Sequence, residues 1–319
     1  MNLKSNKAIT LIALIITIII LLILAGVSLS MILGENGLIN KAQSSVDKYQ
    51  GSSENEQGLL NKIEEYLDGK GKVFGPSISN TESYVGKYAD VDGDGIVDGI
   101  IYADLAVGGS GTWNLSEFSN AYVNGTYTIP KVTTGLKEYC VSQSSYTNAI
   151  NGEQEVIKAK TTNGTPRFYV MALTDIDGKQ YGRNYCWYYA AGGNMKDYES
   201  TTSGDFGKGA SNTRNMLAKW NAKAYGEQNA SSYTKDLWGQ IQEKANKGWY
   251  VPSRAEWAAF GGNLSINKSN YTSKGLSGYY WSSSQYDAYA VWCADFYRGY
   301  MNDSDSVGNA RMVRLGTTF

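Results

Sequence analysis

Residues 8–33 read AITLIALIITIIILLILAGVSLSMIL, a run without a charged side chain. As a helix it would be about 39 Å long, enough to cross a bilayer with some tilt. Lys4 and Lys7 precede it, so the positive-inside rule keeps the N-terminus cytoplasmic and sends the remainder out of the cell. The run is longer than a signal-peptide core and no A-x-A site follows it, which favours a retained single-pass span. Residues 34–70 form an interrupted helical stalk: Leu59, Leu60, Ile63 and Leu67 fall at helical spacing, and Gly51, Ser52 and Ser53 mark a break. Residues 71–319 change character, with short apolar and aromatic runs punctuated by Gly, Asn, Asp and Ser, the pattern of strands and loops. Helix returns locally at 213–222, at 235–246 with Gly248 as its C-terminal stop, and at 254–260 with Ser253 as N-cap. The expected class is α+β, an anchoring and stalk helix followed by a loop-rich exported domain.

Composition narrows the chemistry. The 319-residue chain has no histidine, which removes the commonest general base and the commonest metal ligand, so no enzyme is expected. The net charge of −1 advertises no basic face, and no nucleic-acid partner is expected. Twenty-five tyrosines beside 36 glycines point instead to an aromatic-rich, exposed binding domain. Cys140, Cys186 and Cys293 are too far apart for a CxxC site, and three cysteines allow at most one disulfide.

The stretch DVDGDGIVDG sets Asp90, Asp92 and Asp94 at alternate positions, followed by Gly95 and Asp98. Carboxylates spaced this way converge in a tight loop and suit calcium, with Ile96 offering its carbonyl and the cation serving structure. Ile101 stands where an EF-hand loop has its bidentate glutamate, leaving Asp98 or Asp104 to substitute. Two Asp-Gly steps equally suit a hairpin turn.

Two resemblances add to this reading. SNKAITLIALIITIIILLILAG resembles the N-terminus of type IV prepilins, which implies cleavage after Ala8 and a mature chain beginning at Ile9. Ala8 replaces the usual glycine, and Ala13 stands where that family has the glutamate that pairs with a neighbour's N-terminus. Further on, GWYVPSRAEWAAF (248–260), GLSGYYWSSSQY (275–286) and ARMVRL (310–315) resemble the C-type-lectin-like fold shared by formylglycine-generating-enzyme-like domains and the variable proteins of diversity-generating retroelements. RFYVMALTDIDG (167–178) belongs with the same domain. The resemblance implies a scaffold role for Trp249, Glu256 and Trp257, with Arg311 and Arg314 pairing buried carboxylates. It does not carry over the enzymatic chemistry, because Cys293 has no neighbouring cysteine in the sequence.

From Tyr286 to Phe319 the chain has no Lys, Glu or Gln and is dense in Tyr, Asp, Ser, Asn, Gly and Arg. Stiff amphipathic tyrosines with small polar residues and arginine make good binding surfaces, since they lose little entropy on contact. The expected ligand-facing set is Tyr286, Asp287, Tyr289, Val291, Cys293, Asp295, Tyr297, Arg298, Tyr300, Asn302, Asp303, Ser304 and Asp305. In retroelement-diversified proteins such a segment, here 286–311, varies by mutation of template adenines, and nearly all its residues are reachable from asparagine codons; a fixed Tyr-rich hairpin is the other reading. The expected function is a surface-displayed binding protein whose ligand is a protein or glycan on another cell or surface. The alternative is a structural pilin-like subunit that meets other pilin-like subunits.

Overall fold

The computed structural model describes residues 14–24, 75–113, 125–178, 184–231 and 234–319, with the side chains of 302–304 excepted. The chain divides into two units, Met1–Val73 and Phe74–Phe319. In the first, residues 14–24 are helical and exposed along their length. No helix among the described residues is long and apolar enough to cross a membrane. The rest of the expected span, the cut between Ala8 and Ile9, and the stalk lie outside the described residues.

The second unit is α+β. Its strands are β1 (Tyr88–Asp90), β2 (Gly99–Asp104), β3 (Gly109–Trp113), β4 (Gly125–Ile129), β5 (Tyr139–Asn148), β6 (Gly152–Ala159) and β7 (Phe168–Ala172). They continue as β8 (Tyr185–Cys186), β9 (Tyr279–Gln285), β10 (Ala290–Asp295), β11 (Tyr300–Ser306), β12 (Ala310–Arg311) and β13 (Gly316–Thr318). A six-stranded sheet runs β13-β7-β2-β1-β6-β5, with only the β1–β6 pair parallel. A second sheet, β11-β10-β9, is antiparallel, and β3–β4 and β8–β12 form two-stranded ribbons. β13 lies beside β7, so the last residues of the chain help to build the larger sheet.

The helices are α1 (Tyr198–Thr201), α2 (Gly209–Asn221), α3 (Leu237–Gln240), α4 (Gln242–Asn246) and α5 (Arg254–Asn263). α5 starts where expected: Ser253 Oγ accepts the Glu256 N–H, and the Glu256 carboxylate accepts the Ser253 N–H, a reciprocal capping box. The helix expected over 235–246 is instead split at Ile241. The carboxylate of Asp236, just before α3, accepts N–H groups from Tyr189, Asn229 and the Trp220 indole at 2.8–3.0 Å. Gly239 lies against that same indole so closely that an added Cβ would come within 2.7 Å of it, and this tertiary docking overrides continuous helix.

Tryptophan explains much of the core. Trp257 of α5 is fully buried and packs on Tyr280, Phe260 and Phe296. Its indole donates to the Trp281 carbonyl, Trp281 donates to Tyr185, Trp187 to Ser282, and Trp113 to Ile266, at 2.7–3.1 Å. Each ring therefore buries apolar area and ties two segments with its single donor. The three serines of the Trp-Ser-Ser-Ser strand are also buried, bonded to the Trp292 carbonyl, to Asn212 and to the Ser203 carbonyl. Arg314 meets Asp175 at 2.8 Å with both side chains buried, as its expected role requires. A second buried pair, Arg167 with Asp104, is bidentate at 2.8 and 2.9 Å. All three cysteines are buried and free, so the one disulfide the sequence allowed does not form.

Candidate functional site

The residues expected to face a ligand occupy β9–β11 and its turns, and the sheet divides them. β10 is the middle strand, so one side of its pleat is committed to the core. Val291, Cys293, Asp295 and Asp305 are buried, and their assignment to the ligand face is corrected. Val291 and Cys293 pack in the core cluster with Trp281, Trp187 and Val313. Asp305 accepts from Arg311 Nε and Nη2 at 2.7 and 2.9 Å and from the Asn309 amide at 2.8 Å. Burial pushes the Cys293 thiol well above its usual range, and the Asp305 charge adds to this. Such a thiol stays protonated at neutral pH, the unreactive form. Burial also raises the Asp295 carboxyl to about 6, against the lowering effect of the Arg298 N–H and charge. Asn302 pairs across the strand with Cys293, and the side chains of Asn302, Asp303 and Ser304 lie outside those described.

The exposed residues fall at two ends of the sheet, one β10 length apart, roughly 20 Å at 3.3–3.4 Å per residue. At the β9–β10 turn Tyr286 and Tyr289 are 41% and 65% exposed. Asp287 fixes this turn, its Oδ1 accepting the N–H groups of Tyr289 and Ala290 at 2.7 and 2.8 Å. Tyr289 lies against Gly193, where an added Cβ would come within 2.6 Å of the ring and where a φ of +77° independently favours glycine. Tyr189, 61% exposed, joins this end beside Gly308. Behind Tyr286 stands Trp292 at 5.2 Å edge to face, and the Arg254 guanidinium stacks 3.9 Å from the Trp292 ring centre.

At the β10–β11 turn Tyr297 is 63% exposed and stacks on Tyr279, with Arg311 over the Tyr279 ring at 4.9 Å. Arg298 is exposed and donates to the Tyr300 hydroxyl at 3.2 Å. Asp295 holds this turn from beneath, accepting the Arg298 N–H at 2.9 Å, and its backbone carbonyl accepts the Gly299 N–H at 2.7 Å. Tyr189, Tyr279 and Arg254 escaped sequence reasoning because they lie outside the Tyr-rich segment. Only their exposure or stacking partners identify them.

The acidic loop is the β1–β2 connection. Oxygen atoms of Asp90, Asp92 and Asp98 lie within 4.8 Å of one another. Asp94, the fourth expected carboxylate, is not in that group; its Oδ1 accepts the Ile96 N–H at 2.8 Å. Asp90 accepts the N–H groups of Gly93 and Gly95 at 2.8 and 3.1 Å, and Asp98 that of Val91 at 2.7 Å. Burial raises the Asp98 carboxyl, and the neighbouring charges of Asp92, Asp90 and Asp94 raise it further. The loop is thus a hairpin turn stabilised by its own aspartates, and the second lone pairs of three carboxylates remain a donor set of the kind a hard cation takes.

Trp249, expected as scaffold beside Glu256 and Trp257, differs from them. Glu256 and Trp257 are fully buried, whereas Trp249 is half-buried and lines two clefts.

Compared with known proteins, the sequence matches no family model and no curated protein. Among solved structures it is similar to a fimbrial protein from Bacteroides ovatus, at 18% identity and a TM-score of 0.32, over 48% of this chain and 36% of that one. A superposition of that quality carries no argument about role.

Proposed function

We propose that this chain is a surface-displayed binding protein without enzymatic activity, held at the membrane by its apolar N-terminal segment and carrying a C-type-lectin-like domain. One observation supports the reading above the rest. The β9–β11 sheet is anchored by a buried inner face, yet it carries Tyr286, Tyr289 and Tyr297 at 41–65% exposure on two short, hydrogen-bonded turns. Exposed rings on fixed turns offer contact area at low entropic cost, the property of aromatic anchors in binding surfaces. The ligand is a protein or glycan on another cell or surface. The contact set is Tyr286, Asp287, Tyr289, Tyr297, Arg298 and Tyr300, joined by Tyr189. If the 286–311 segment is diversified, variation falls on Tyr286, Asp287, Tyr289, Tyr297, Arg298 and Tyr300 and spares Val291, Cys293, Asp295 and Asp305.

Binding of the full chain to host or neighbour cells tests this, with Tyr289→Ala and Tyr297→Ala compared with wild type. Unchanged binding in both, at wild-type melting temperature, would sink the proposal. A flanking reverse transcriptase with a near-copy of the 3′ end of the gene would mark the diversified case. The residues around Ala8 favour one companion reading, a pilus-associated subunit processed to begin at Ile9. Intact mass of the membrane-extracted protein tests it, and a retained Met1 would leave a plain anchor.

A further inference from the structure

Asp295 ends β10 beneath the exposed Tyr297–Arg298 turn, and its side chain is fully buried. Its Oδ1 accepts the Arg298 N–H at 2.9 Å and its backbone carbonyl accepts the Gly299 N–H at 2.7 Å, so this one residue closes the turn at two points. Among the described residues no donor reaches its Oδ2, although Arg298 Nη1 lies 3.9 Å away. That guanidinium is exposed and is bonded to the Tyr300 hydroxyl at 3.2 Å. The other groups facing Asp295 leave its Oδ2 as it is. Asp305 of β11 is a second carboxylate whose charge opposes that of Asp295, and Arg311 of β12 is bonded to Asp305 at 2.7 and 2.9 Å. Cys293 of β10 and Tyr279 of β9 are both raised above their usual ranges, by burial first and then by the nearby carboxylates.

A buried carboxylate with one oxygen unbonded is costly when charged and much less so when neutral. The Asp295 carboxyl accordingly lies at about 6 against an ordinary 3.8, raised first by burial. If the turn opens, Asp295 meets water and returns towards its ordinary value, so the closed turn holds the proton more tightly than the open one. Protonation therefore favours the closed turn. That advantage is full below the ordinary value of 3.8 and is lost as pH rises through about 6. Charge works in the same direction, because a neutral Asp295 releases Arg298, itself a contact residue, from its ionic neighbour. We propose that Asp295 is a pH switch for the ligand face at the β10–β11 turn, strengthening binding in mild acid and weakening it above neutral pH. The switch rests on that turn being part of the ligand face, and it leaves the Tyr286–Tyr289 end unaffected.

Two measurements on the full chain in detergent test it. Hydrogen exchange of the 296–300 backbone, corrected for the intrinsic pH dependence of exchange, reads the turn without any ligand. Protection at Arg298 and Gly299 should be roughly 10-fold greater at pH 5 than at pH 8, with a midpoint near 6. Asp295→Asn, which keeps an acceptor for the Arg298 N–H and cannot ionise, should hold the protected level at both. Binding to host or neighbour cells should follow the same curve, roughly 10-fold tighter at pH 5 in the wild type, with the same ratio in Tyr289→Ala and no pH dependence in Asp295→Asn. Equal protection or equal binding of the wild type at the two pH values overturns the proposal. So does a pH dependence that persists in Asp295→Asn, since it would belong to the cell surface. If Asp295→Asn folds poorly, Arg298→Gln removes the charge that lowers Asp295 and should move the exchange midpoint above 6; an unmoved midpoint overturns the switch. Cell binding that survives Tyr297→Ala overturns the ligand face at this turn and the switch with it, whereas binding that is lost in Tyr297→Ala but indifferent to pH removes the switch alone.

Discussion

The Glu256 carboxylate accepts the Ser253 N–H at 2.7 Å while the Ser253 hydroxyl accepts the Glu256 N–H at 3.3 Å, both side chains being fully buried. The same carboxylate also lies 3.4 Å from the Gly209 N–H at the start of α2, so one side chain organises the beginnings of two helices. Burial raises the Glu256 carboxyl to about 7, against the lowering effect of these N–H donors. The folded state therefore holds this proton more tightly than the unfolded chain, whose ordinary value is 4.5. That contribution to stability is full below about pH 4.5 and is lost as pH rises towards 7. Asp295, raised to about 6, acts with the same sign over a lower window. The melting temperature should fall by several degrees between pH 5 and 8 in the wild type, and Glu256→Gln should flatten that slope. A wild-type profile that rises over this range would contradict the assignment.

Arg314 and Asp175 form a buried pair, and removing one partner strands a charge. Asp175→Asn should cost about 3–5 kcal/mol. Replacing both residues with apolar side chains should recover much of that loss, as read by chemical denaturation.

Calcium, if the β1–β2 turn takes it, binds through Asp90, Asp92 and Asp98 and not through Asp94. Calorimetry should show heat that disappears in Asp92→Ala and persists in Asp94→Ala, with a calcium-dependent rise in melting temperature. No heat in the wild type would leave the loop as a turn alone.

The native protein should contain three thiols and no disulfide, since Cys140, Cys186 and Cys293 are all buried and free. Burial also raises the Cys140 and Cys186 thiols. A thiol reagent at neutral pH should react slowly with the folded chain and titrate three groups in denaturant. Fewer than three would mean that a pair has formed.

Several features were legible in the residues themselves. The Ser253 cap and the hairpin aspartates follow from local spacing, whereas the Trp257 core position and the Arg314 ion pair were implied by the resemblance to the C-type-lectin-like fold. The ligand face was harder to read, because a Tyr- and Asp-rich composition names suitable residues without saying which way each one points. Strand alternation alone does not decide it either. The register between β9 and β10, and between β10 and β11, shifts between Val291 and Cys293, and this places Cys293, Ala294 and Asp295 all inside. Tyr189 was missed and Trp249 was read as scaffold for another reason: part of the surroundings of each comes from segments more than 60 residues away, which local sequence does not show.

The central claim is that exposed tyrosines on the turns of the β9–β11 sheet bind a ligand while the fold stands without them. Tyr286→Ala with Tyr289→Ala, compared with Trp257→Ala, measures it most directly through paired thermal melting and binding to cells. The tyrosine pair should melt within about 2–4 °C of wild type, the range of a change near 1 kcal/mol, and lose on the order of 30-fold or more in binding, the scale of one strong anchor. Trp257→Ala should cost about 3–5 kcal/mol of stability. Tyrosine variants that unfold as severely as the tryptophan variant, or that bind as well as wild type, would contradict the account.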